Sequence, residues 1–158
     1  MKNATALCFA MLISAAIGVG LQAQTLGVGL KDALALIDAA HKEATAQNLR
    51  LSIAVVDARG DLIAIARLSG AGPATADTAI GKAMVAALFG QPSATLAPRA
   101  TSPVLQGLNE RTGGRFRFFQ GALPIVRNGR TVGAVGASGA TAQQDEDIVR
   151  TALAAVFK

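Results

Sequence analysis

Ala122-Leu-Pro-Ile-Val-Arg-Asn-Gly-Arg-Thr-Val-Gly-Ala-Val-Gly-Ala-Ser-Gly-Ala-Thr-Ala-Gln-Gln-Asp-Glu-Asp147 reads as a hairpin that runs into a capped helix. Asn128-Gly129 separates two apolar runs, and both residues tolerate the positive φ angles of a two-residue hairpin turn. Thr141 followed by Gln144 forms a capping-box pattern. Asp145, Glu146 and Asp147 then place negative charge in the first helical turn, where the helix dipole favours it.

Working outward, Ile148, Val149, Ala152, Leu153 and Val156 continue the pattern as the inward face of a closing helix. Towards the N-terminus, Leu51–Val56 and Leu62–Ala66 are apolar runs joined by Asp57-Ala-Arg-Gly-Asp61, a second hairpin whose strands read as buried on both faces. Leu30, Ala33, Leu34, Ile37, Ala40, His41 and Ala44 share one arc at helical spacing, which puts His41 on the apolar side of a first helix. Ala76, Ala79, Ile80, Ala83, Met84, Ala87 and Leu88 form a second stripe, which Gly90 and Pro92 terminate. Short helical turns are expected around Ser93–Ala97 and Val104–Asn109, and a short strand over Phe116–Phe119. Helices both before and between antiparallel strands predict an α/β sandwich, not a doubly wound nucleotide fold.

The 158 residues carry 15 Lys and Arg against 10 Asp and Glu, a formal charge of +5, with no Trp or Tyr. No basic run is long enough for a nucleic-acid footprint beyond the short Arg111–Arg117 cluster. Lys2, the charge-free run from Ala4 to Leu21, and Ala23 read as a secretory signal peptide over residues 1–23, with an uncleaved anchor as the alternative. Residues 24–158 then form one domain, periplasmic or secreted, with no membrane contact after cleavage. Cys8 is the single cysteine and leaves with the leader, so the mature chain has no disulfide and no thiolate metal site.

Four blocks together carry a family likeness: Ser52–Asp57 with Gly60, Gly70–Pro73, Asp77–Ala83 continuing through Phe89–Ser93, and the segment quoted above. The chain resembles the GlcG/HbpS-like haem-binding proteins, relatives of the C-terminal domain of PduO-type corrinoid adenosyltransferases, and Gly70-Ala-Gly-Pro73 with the leader points to an exported branch. The resemblance implies a profilin-like three-layer α/β/α sandwich on a five-stranded antiparallel sheet. It also implies a homo-oligomer and a haem or other tetrapyrrole as ligand.

His41 is the only histidine, so multi-histidine metal sites and any catalytic set that needs a second histidine are excluded. Two roles remain for it: a packed residue of the helix face, or an axial ligand to haem iron. Arg115 and Arg117 alternate with Phe116 and Phe118, which suits either a haem edge with two propionates or a half-buried strand. Lys82 is a further candidate for a ligand pocket. Gly133, Gly136 and Gly139 lack the strand-loop-helix context of a dinucleotide site and instead mark a close approach of backbone or of a planar ligand. The expected function is haem binding by an exported protein. The alternative is a small-molecule enzyme, or an accessory subunit, with a pocket near Lys82 and the glycine-rich strand.

Overall fold

The computed structural model describes residues 27–157, so the expected leader over 1–23 lies outside the described residues. In chain order the elements are α1 (Leu30–Ala46), β1 (Ser52–Asp57), β2 (Leu62–Arg67), α2 (Thr75–Phe89), a 3-10 helix (Ser93–Arg99), α3 (Pro103–Arg111), β3 (Ala122–Arg127), β4 (Arg130–Ser138) and α4 (Ala142–Val156). The fold is mixed α/β with one antiparallel sheet of four strands, ordered β2-β1-β4-β3.

Both hairpins form where the sequence places them. Asn128 and Gly129 adopt φ of 51° and 72°, and Arg127 pairs with Arg130 across the turn. In the β1–β2 turn, Asp57 Oδ1 accepts hydrogen bonds from the backbone N–H groups of Arg59 and Asp61, while Gly60 takes φ 83°. The capping box of α4 is present, with the Thr141 side chain accepting from the Gln144 N–H and the Gln144 side chain accepting from the Thr141 N–H. Gly90 ends α2 in the left-handed conformation.

Apolar side chains divide between the two faces of the sheet. On one face α1 and α4 pack Leu36, Ile37, Ile148 and Val149 against Ile53, Val55 and Val135. On the other, Ala83, Ala86 and Ala87 of α2 lie against Val56, Ala122 and Ala134. A further cluster beneath α2 holds Met84, Val85, Leu96, Leu105, Phe116 and Phe118.

Three expectations change. Only four strands are found among the described residues, because Phe116–Phe119 is an irregular segment and not a strand. It is held sideways: the Arg117 N–H donates to the Gly81 carbonyl of α2, and buried Ser93 donates its hydroxyl to the Phe119 carbonyl. β1 is buried along its length, but β2 is half exposed, because it is an edge strand with a neighbour on one side only. The third change concerns the buried face of α1, which determines where His41 points.

Glycines 133, 136 and 139 allow backbone to approach backbone, as the sequence suggested. A Cβ at Gly136 would lie 2.6 Å from the Ala79 carbonyl of α2, and one at Gly139 would crowd Leu51 at 2.7 Å. These contacts leave no room for a planar ligand on that strand.

Candidate functional site

α1 buries Ala33, Leu36, Ile37, Ala40 and Ala44, while Leu30 and Leu34 are more than half exposed. The buried sector is thus rotated towards Leu36, relative to the arc read from spacing, because α4 and β1 pack against that side. His41 falls just outside it and is exposed. A packed core role for this histidine is therefore ruled out by its position. Its neighbours are Thr45, Arg50, Ala66, Arg67, Leu68 and Ser69, and together they line an open cleft of about 460 Å³ between the C-terminal half of α1 and the end of β2.

Two arginines border this cleft from different elements. Arg67 ends β2, and its Nη1 donates to the Ala71 carbonyl at 2.8 Å. Arg50 follows the first helix, and its side chain lies along the turn after β2. A Cβ on Gly70, which has φ 84°, would sit 3.4 Å from Arg50 Cδ. The Leu68–Ala71 turn, closed by the Ala71 N–H on the Leu68 carbonyl, therefore holds Arg67 and lies against the Arg50 side chain. No Asp or Glu lines the cleft. It offers the His41 imidazole, the Arg50 cation and the apolar surface of Ala66 and Leu68, with Arg67 at its margin, a donor set for a flat anionic molecule with a coordinating metal.

Arg115 and Arg117 do converge, but elsewhere and with different company. They share a cleft of about 210 Å³ with Asp77, Ile80, Gly81, Gly113 and Gly114. Arg117 Nη1 donates back to the carbonyls of Gly114 and Phe116, so it braces its own loop. Asp77 adds a carboxylate that opposes an anionic ligand there. Phe116, Phe118 and Phe119 line an adjoining apolar groove of about 410 Å³ with Ala97, Ala100 and Arg117. This whole region packs on α2, whereas His41 belongs to α1 across the sheet. Within one chain the imidazole and the Arg115–Arg117 pair therefore line separate clefts.

Lys82 is buried and its ammonium is engaged, donating to Asp145 Oδ2 at 2.8 Å and to the Ala137 carbonyl at 3.0 Å. The structure places it in the interior between α2, β4 and the start of α4. Among the described residues no group of three or more His, Cys, Asp or Glu side chains is arranged to hold a metal ion.

Arg50 and Arg67 are the site residues that spacing alone did not single out. The available signal was Gly70-Ala-Gly-Pro73, already marked as one of the family blocks, which sits against both of them.

The comparisons with known proteins agree with this architecture. Residues 28–154 match a family model described as haem degrading protein HbpS-like. An uncharacterised 15.0 kDa protein of Citrobacter freundii, from the dhaT-dhaS intergenic region, is 31% identical over 134 residues, covering 82% of this chain and 92% of that protein. The HbpS crystal structure from Streptomyces reticuli, a double mutant, is 27% identical with a TM-score of 0.74, covering 99% of this chain and all of that one. A crystal structure of a PduOC:heme complex is 28% identical with a TM-score of 0.74, covering 84% of this chain and 96% of that one.

Proposed function

The chain belongs to the HbpS-like family, and on that premise we propose that it binds haem in the cleft between α1 and the end of β2. The observation that carries this reading is the convergence of His41, Arg50 and Arg67 on one acid-free cleft. Its volume lies within the range of cofactor pockets. His41 would hold the iron, and Arg50, with Arg67 at the margin of the cleft, would pair with propionates, for which the forked N–H geometry of a guanidinium is suited. Ala66 and Leu68 give the macrocycle an apolar bed. A bound haem would supply the redox-active iron, while the chain's own residues would bind and orient the group.

The same reading includes an exported protein processed near Gln24, supported by the charge-free run of residues 4–21 and by Ala23. It also includes assembly into a homo-oligomer and a profilin-like arrangement of the layers, both supported by the family resemblance.

Titration of the purified mature protein with hemin, followed at the Soret band, tests the proposal. The wild-type protein gives a saturable, shifted band, and His41→Ala loses the shift while its circular dichroism is unchanged. An identical spectrum in folded His41→Ala overturns the ligand assignment.

A further inference from the structure

β2 has an open outer edge among the described residues, since the sheet ends with it. Its sequence, Leu62-Ile-Ala-Ile-Ala-Arg67, contains neither Pro nor Lys, and the one irregularity that blunts it, a register shift opposite Val55 and Val56, is confined to its Leu62 end. The opposite edge is treated differently. β3 carries Pro124, which has no N–H to offer, and the C-terminal turns of α4 with Phe157 lie alongside it.

β2 keeps regular antiparallel register with β1 from Arg67 back to Ala64. The Leu68 N–H donates inward to the Leu51 carbonyl. By the alternation of an antiparallel ladder, the N–H and C=O groups of Arg67 and Ile65 then point outward, away from β1. Leu62 and Ile65 are 44% and 37% exposed along the same strand. An apolar edge with free backbone groups is a template for another strand.

Charge identifies that strand. The N-terminal end of β2 carries Asp57, Arg59 and Asp61, with Arg59 ion-paired to both carboxylates, a net negative end. The C-terminal end carries Arg67 with no acidic residue among its cleft neighbours. Antiparallel pairing of β2 with a second β2 about a two-fold axis sets the negative end of each copy beside the positive end of the other, twice. A parallel arrangement would set like ends together.

We infer that the β2 edge is the self-association surface of this protein, joining two copies into one continuous eight-stranded sheet. This rests on the homo-oligomeric part of the functional reading above, and it adds which surface is used and in which sense the strands run. It places the two His41 clefts at either side of the new seam, because each cleft includes Ala66 and Arg67 of its own β2, and it engages Arg67 with Asp61 of the second copy, which leaves Arg50 as the propionate partner within the cleft.

Sedimentation velocity of the mature chain, at concentrations from 0.1 to 100 μM (on the order of common interface affinities), is the test. The wild type sediments as a dimer or larger. Ile65→Lys, which brings two like charges to the seam, raises the dissociation constant at least tenfold, as do Asp61→Arg and Arg67→Asp singly. The double variant Asp61→Arg with Arg67→Asp recovers most of the association, which a folding defect would not do. A wild type that is monomeric throughout overturns the homo-oligomer itself. A stable oligomer indifferent to all four variants leaves the oligomer standing and overturns the edge.

Discussion

Lys82 Nζ lies 2.8 Å from Asp145 Oδ2, a bond between the middle of α2 and the first turn of α4 in which both side chains are at least 96% buried. Lys82 also donates to the Ala137 carbonyl, and Asp145 Oδ1 accepts from the Ala140 N–H just before the helix. The pair fixes α4 against the sheet end, with the carboxylate at the helix N-terminus where the dipole stabilises it. Removing one partner strands the other charge in the interior. Lys82→Met is therefore expected to cost about 3–5 kcal/mol in urea unfolding, whereas Lys82→Met combined with Asp145→Leu costs less than the two single changes added together. Additive single effects would show that the two groups do not act as a pair.

Gly136 is a contact residue, and a single methyl group tests it. Its added Cβ would lie 2.6 Å from the Ala79 carbonyl and 3.0 Å from the Ala83 N–H, both backbone atoms of α2. Neither can turn aside as a side-chain tip would. Gly136→Ala should destabilise by roughly 1–3 kcal/mol, with α2 displaced from β4. Gly107→Ala, in α3 with open space around it, should instead gain about 0.5–1 kcal/mol. Thermal melts of the two variants moving in the same direction would contradict this assignment.

His41 can be altered without disturbing the fold, because it is exposed and bonds to nothing among the described residues. The expected change in unfolding free energy for His41→Ala is within about 0.5 kcal/mol. A loss above 2 kcal/mol would return the imidazole to a structural role and make any change in haem spectrum ambiguous.

Arg50 separates the two arginine clusters. If propionates pair in the His41 cleft, Arg50→Glu weakens hemin binding by roughly 10- to 100-fold, the worth of one charge-assisted hydrogen bond. Arg115→Glu, in the cleft that already contains Asp77, leaves it unchanged. Equal sensitivity at the two positions would move the site, or part of it, to the Phe116–Phe119 surface.

Much of the fold was legible because it depends on local rules. Asn128-Gly129, Asp57–Asp61, the Thr141 capping box and the Gly90 stop each act over four or five residues, and each formed as read. The spacing of Gly133, Gly136 and Gly139 announced close packing, since a strand tolerates missing side chains where another backbone must fit. The Phe116–Phe119 expectation failed for a related reason. Its alternation is genuine, with Phe116 and Phe118 buried, but alternation describes side chains and not the neighbour that would complete a ladder. That neighbour is α2, which accepts one backbone hydrogen bond at Gly81.

By itself the sequence determined the hairpins, the cap of α4 and the stop of α2, the glycine contacts and the family to which the chain belongs. Tertiary structure alone decided the orientation of α1 and the composition of the site. The first helix has apolar residues around more than half its circumference, so spacing permits several buried sectors, and packing against α4 and β1 selects the one centred near Ala33 and Ala40, from Leu36 to Ile37. That choice turned His41 outward. Arg50 and Arg67 meet it because a turn folds the chain back between them, while Lys82 finds Asp145 across 63 residues. Such convergences depend on the whole chain closing on itself, which no local pattern of side chains encodes.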